Sequence, residues 1–301
     1  MNLKKNIFLP LILCFSINTS FAQISNFDQV IESATKGDAL AQYNLGVMYA
    51  NGQGVAQSYP NAFEWYSKAA TQGYAAAQSN LGVMYANGQG VAQSYLNAFE
   101  WYSKAAAQGD AVAQYNLGVM YANGQDVAQS YPKAFEWYSK AATQGYADAQ
   151  YNLGVMYDNG QGVAQNYPKA FEWYSKAATQ GDKDAQNNLG VMYSKGLGVT
   201  QNDAKAFEWY SKAAAQGHAY AQNTLGGKYQ KGQGVTQNDI KAFEWYSKAA
   251  AQGDAYAQYN LAEMYKSGQG VTQNNAKAFE WYSKAADQGH AQAKLMLARL
   301  Q

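Results

Sequence analysis

The sequence predicts an all-α chain, a solenoid built from seven 36-residue helix hairpins and closed at each end by a half-repeat. Two observations carry this. The seven tryptophans, Trp65, Trp101, Trp137, Trp173, Trp209, Trp245 and Trp281, follow one another at intervals of 36 residues. Each stands in the same word, Ala-Phe-Glu-Trp-Tyr-Ser-Lys-Ala-Ala. A constant period of this length marks an array in which no repeat buries its apolar face alone and neighbours must stack. Composition agrees: 48% of the 301 residues are hydrophobic, too many for a disordered chain, although only 14% are charged.

Taken in order, residues 1–22 read as a signal peptide. Lys4 and Lys5 precede the apolar run from Ile7 to Phe15, and Ser20-Phe21-Ala22 forms a small-x-small cleavage site. Cleavage is expected after Ala22, with export from a bacterial cytoplasm to the periplasm or medium. The apolar run is too short to span a bilayer, so no stable membrane anchor is expected afterwards. The sole cysteine, Cys14, lies in this segment, so the exported chain would hold together by packing alone.

Residues 23–37 form an N-terminal capping helix, with Phe27 placed 36 residues before Phe63. The repeats follow as 38–73, 74–109, 110–145, 146–181, 182–217, 218–253 and 254–289, and residues 290–301 form a C-terminal capping helix. In the first repeat, Asp38 caps a helix bearing Ala41, Leu45, Met48 and Tyr49 at 3–4 spacing, and Gly52 ends it. Ser58, or Asn202, Asn238 and Asn274 in later copies, caps the second helix, with Pro60, Pro132 and Pro168 in its first turn. That helix carries Ala62, Trp65, Tyr66, Ala69 and Ala70 toward the core and stops at Gly73. Gly46 and its equivalents are expected to let two backbones approach closely. Glu64 and Lys68 recur in every copy as an i,i+4 pair for a solvent-facing side. Asp126 stands where other copies have a turn glycine, which predicts the weakest loop of the array.

Chemistry is sparse. A net charge of +1 without a basic cluster excludes nucleic acid as the expected partner. His218 and His290, the only histidines, are two repeats apart at helix starts, so no metal site, cofactor or catalytic residue is expected. Gly52-Gln53-Gly54 lacks the Gly-Lys-Ser/Thr ending of a phosphate loop.

Positions constant between copies answer the shared packing problem, and positions that change are where a partner is sought. Residues 40, 43, 47 and 50 of each copy share one face of the first helix. From it come the candidate partner-binding residues Tyr115, Tyr151, Asn187, Tyr220, Asn223, Tyr256 and Tyr259, since an exposed tyrosine is rigid with a polar tip. Neutral drift on an exposed face is the other reading of the same variation. The last three copies are the most individual: Lys228 and Gly227 replace Met and Val, and Glu263 replaces Val.

The words Ala-Gln-Tyr-Asn-Leu-Gly-Val-Met-Tyr (41–49), Gly-Gln-Gly-Val (52–55) and Ala-Phe-Glu-Trp-Tyr-Ser-Lys-Ala-Ala (62–70) resemble the Sel1-like repeat family, relatives of the tetratricopeptide hairpins. The resemblance implies a right-handed superhelix whose first helices line the concave side. It also implies a non-catalytic scaffold, expected here as a monomer, that holds a protein or peptide in the envelope or at a host interface. Cysteine-rich relatives are described as β-lactam binders or hydrolases. That makes a β-lactam or cell-wall hydrolase the alternative, weakened by the absence of cysteine after residue 14.

Overall fold

A computed structural model describes residues 20–300, and among these the chain is entirely helical, with sixteen helices and no strand. The predicted signal segment lies outside the described residues up to position 19. Helix α1 (Ser20–Thr35) precedes seven hairpins. Their first helices are α2 (Ala39–Asn51), α4 (Ala75–Asn87), α6 (Ala111–Asn123), α8 (Ala147–Asn159), α10 (Lys183–Lys195), α12 (Ala219–Lys231) and α14 (Ala255–Ser267). Their second helices are α3 (Tyr59–Thr71), α5 (Tyr95–Ala107), α7 (Tyr131–Thr143), α9 (Tyr167–Thr179), α11 (Asp203–Ala215), α13 (Asp239–Ala251) and α15 (Asn275–Asp287). Helix α16 (Ala291–Leu300) follows them. The chain packs as two compact units that divide between Gln165 and Asn166, and within each unit consecutive hairpins stack as in a solenoid.

The caps are those the residue types dictate. Asp38 Oδ1 accepts the Ala41 amide at 2.6 Å, and Asn202 Oδ1 accepts that of Lys205 at 2.9 Å. His218 and His290 cap in the same way, each through Nδ1. Tyr74 and Tyr146 occupy the cap position without a side-chain bond, so α4 and α8 begin with one donor fewer satisfied. Asp126 adopts φ +51, the one non-glycine residue with positive φ among the described residues.

Each core combines small alanines with one buried tyrosine. Ala62, Tyr66, Ala69 and Ala70 of the first hairpin join Ala77, Leu81 and Met84 of the second. The helical glycine has a different use from the one expected. A Cβ on Gly46 would stand 2.6 Å from the Tyr66 ring, and one on Gly118 would stand 2.6 Å from Tyr138. Glycine here makes room for an aromatic ring, not for a second backbone. The tryptophans also correct the expectation of a core role. They are half-buried, with Trp101 against the first core while Lys104 Nζ lies 4.2 Å over its ring. The tyrosine one residue later, Tyr102, takes the core position. Lys68 does double service: its Nζ bonds Glu64 at 2.7 Å and sits 4.0 Å over the Trp65 ring.

Stacking is fastened by glutamines that the repeat pattern does not distinguish. The buried Gln78 donates to the Ala70 carbonyl of the preceding hairpin at 3.1 Å, and its Oε1 accepts from Gln108 at 2.8 Å. Gln114 and Gln222 repeat the arrangement with Gln144 and Gln252. A further glutamine, Gln93, closes the loop by donating to the Ala86 carbonyl at 2.8 Å. Each clamp satisfies carbonyls at a helix end that would otherwise be buried without a partner.

Candidate protein-binding surface

The candidate stripe divides into a closed part and an open part. Tyr115 is only 1% exposed, wedged between the rings of Tyr138 at 5.7 Å and Tyr146 at 5.1 Å. Tyr151 is 6% exposed and Asn187 8%, the latter with its amide 3.4 Å from Asn188 Oδ1. These three do not line an open groove, which corrects the expectation. A helical wheel treats one helix by itself, but α4 and α6 touch each other directly, so the face turned inward closes. In repeat 3 the tyrosine that starts the next hairpin covers the stripe tyrosine. Burial then pushes the hydroxyls of Tyr115 and Tyr138 above the ordinary tyrosine range.

The other four candidates come together on α12 and α14. Tyr220 is 52% and Tyr256 67% exposed, at the same position of adjacent repeats. Asn223 Oδ1 accepts from Asn260 Nδ2 at 3.0 Å, a bond that ties the two first helices together. Tyr259 is half-buried, its ring stacked on His290 at 4.7 Å and 19°, while Tyr256 meets the same imidazole edge-on at 4.9 Å. His290 is thus both a helix cap and the support of two stripe tyrosines. In the first unit, Leu40 of α2 is the exposed counterpart at this repeat position, at 52%.

Around the open part stand functional groups outside the predicted stripe. Tyr282 donates its hydroxyl to Glu263, and the Tyr259 hydroxyl is raised by desolvation and by the same carboxylate. Tyr246 donates to Gln230 Oε1 at 3.1 Å. Lys228 fills a methionine position, 4% exposed, with Nζ 3.0 Å from Asp203 Oδ1. The visible signal was the departure of Gly227, Lys228 and Glu263 from the repeat pattern. Their partners on neighbouring helices required the structure. Among the described residues no three His, Cys, Asp or Glu side chains gather as a metal site, and no helix is long and apolar enough to cross a membrane.

The fold that carries these side chains has known counterparts. A solved structure of c5321, a protective antigen present in uropathogenic Escherichia coli strains and displaying an SLR fold, is 41% identical, with a TM-score of 0.86. That match covers 91% of this chain and 59% of the antigen, so the chain spans about three fifths of that protein. A Sel1 repeat protein from Oxalobacter formigenes is 37% identical over 92% of this chain and 80% of its own, with a TM-score of 0.71. No curated protein matches the chain. The Sel1 repeat pattern matches seven times in succession, at 39–74, 75–110, 111–146, 147–182, 183–218, 219–254 and 255–290, and the chain therefore belongs to the Sel1 repeat family, a protein-interaction scaffold fold.

Proposed function

We propose that this chain is an exported, non-catalytic scaffold that binds a protein or peptide partner across the first helices α12 and α14. One observation carries the reading: Tyr220 and Tyr256, two bulky rings at one repeat position of successive first helices, are each more than half exposed. Burying such rings against a partner supplies large contact area at little conformational cost, the usual makeup of an interaction hot spot. Export rests on the N-terminal pattern of lysines, apolar run and small-residue cleavage site. The E. coli relative is a protective antigen, which supports a location the host can reach.

The test is crosslinking in the producing cell with a C-terminally tagged chain, beside the double variant Tyr220→Asp, Tyr256→Asp. Partners captured by the native chain and lost from the variant support the reading. Partners retained in full by a folded variant overturn it. Protease treatment of intact cells separates a surface location from a periplasmic one. Nothing in the site favours the hydrolase alternative, and turnover of a chromogenic β-lactam by the purified chain would put that alternative first.

A further inference from the structure

We propose that the notch at Gly227 on α12, together with Glu263 at the same repeat position of α14, receives a basic side chain of the bound protein. This rests on the reading that the α12–α14 face binds a protein, and it adds the chemistry of what docks there. At this repeat position the chain carries Val47, Val83, Val119, Val155 and Val191, then Gly227 and Glu263. A Cβ on Gly227 would meet nothing within 4 Å except the Tyr246 hydroxyl at 3.5 Å, so the space beside the helix is open. That hydroxyl, bonded to Gln230, gives the notch a polar floor.

Glu263 supplies the charge. Its carboxylate accepts from the Tyr282 hydroxyl, which fixes its position, and the residue stays partly exposed. Elsewhere in the array five of the seven recurrent glutamates are neutralised: Glu64, Glu136, Glu172, Glu208 and Glu280 bond their lysines at 2.6–2.8 Å. Among the described residues Glu263 forms no ion pair, neither with Lys266 one turn on nor with Arg299 at the equivalent position of α16. A carboxylate held by a hydroxyl donor, without a cation and one repeat along from an open notch, is complementary to a guanidinium or ammonium group. The Asn260–Asn223 bond holds the two helices in register, and Tyr220 and Tyr256, two turns upstream, offer their rings to apolar neighbours of that basic residue.

Backbone amide shifts of the full chain, followed while N-acetyl-arginine amide is added, test this. N-acetyl-citrulline amide, of the same shape without the charge, is the control. Saturable shifts at Gly227 and Glu263 are expected with arginine, with binding about fivefold weaker for citrulline and for Glu263→Gln, the factor that ~1 kcal/mol of ion pairing gives. Glutamine keeps an acceptor for Tyr282, so the local fold is retained. Gly227→Val, which restores the residue of five other repeats, is expected to abolish the shifts by filling the notch. No saturable shift, an equal response to citrulline, or undiminished binding by Glu263→Gln overturns the proposal. A captured partner that depends on Tyr220 and Tyr256 but not on Glu263 sinks this inference alone and leaves the scaffold reading standing. Arginine bound at the notch, with a partner indifferent to the tyrosines, does the reverse.

Discussion

Repeat 2 and repeat 6 place a tyrosine in the same pocket and treat its hydroxyl oppositely. In repeat 2 the Tyr102 hydroxyl is buried without a hydrogen-bond partner in the chain, and burial drives its titration well above the ordinary range. In repeat 6 the equivalent Tyr246 donates to Gln230, and in repeat 7 Tyr282 donates to Glu263. Gln230 stands where repeats 1–3 have alanine, and Glu263 where repeats 1–5 have valine. Repeat 2 thus keeps the common core with a defect, an orphaned hydroxyl at a cost of about 1–3 kcal/mol. Copies that have drifted supply the missing acceptor and at the same time expose new groups. Stability and surface individuality change together, at the same positions.

The largest effect that sharpens this contrast is at the helical glycines. Gly118→Ala drives a methyl into the Tyr138 ring, which Tyr115 also contacts. A loss of about 1–3 kcal/mol is expected from urea unfolding. Gly227→Ala meets only a hydroxyl at ordinary contact distance and gains helix propensity, so a stabilisation of about 0.5–1 kcal/mol is expected. Equal effects at the two sites would show that the space beside Gly227 is closed, since Gly226, the counterpart of Gly118 in repeat 6, already places a Cβ position 2.6 Å from the Tyr246 ring. At the Gly118 position the chain itself carries alanine in repeat 7, Ala262, fully buried beside Tyr282.

Next comes the loop of repeat 3. At the equivalent Gly90 a Cβ would stand only 2.4 Å from the Tyr59 carbonyl oxygen, and Asp126 holds a left-handed backbone with a side chain attached. Asp126→Gly is expected to stabilise by about 1 kcal/mol, read as a raised melting temperature. An unchanged or lower value would mean that the Asp126 carboxylate makes up for its backbone strain.

The hydroxyls themselves give a smaller test with opposite signs. Tyr102→Phe removes an unpartnered group and is expected to be neutral or stabilising. Tyr246→Phe strands Gln230 and is expected to lose about 1 kcal/mol. The same sign for both would erase the distinction between the two regions.

The parts legible in advance share one property: they are encoded locally. The 36-residue period, the Asp38 and Ser58 caps and the Glu64–Lys68 pair depend on residues a few positions apart, and the structure places each as read. The illegible parts depend on how one hairpin meets the next. Gln78 looks like an ordinary polar residue until Ala70 and Gln108 arrive from other helices. Tyr115 looks like a surface tyrosine until Tyr146 covers it, whereas Tyr220 and Tyr256 stay open as the pattern suggested. Trp101 and Tyr102 are adjacent and both aromatic, and only the ring-sized gap at Gly82 decides which one enters the core.

The smallest expected effect separates two caps of the same kind. His218 starts α12 as Asp254 starts α14, but its Nδ1 must stay unprotonated to accept the Ala221 amide. Desolvation lowers its pKa below 6.5, outweighing the pull of Asp184, whose Oδ1 lies 3.5 Å from Nε2, while Lys183 lowers it further. With the folded value depressed, the unfolded chain binds the proton more readily, so stability falls as pH drops below about 6.5 and levels off beneath the folded value. His218→Asn keeps a cap acceptor, as Asn202 shows at the start of α11, and removes the titration. Between pH 7.5 and pH 5.5 the native chain should therefore lose more of its urea midpoint than the variant. His290 is present in both proteins and cancels in the comparison. Parallel midpoints would mean that Asp184 compensates the burial of the imidazole, and that the cap survives protonation.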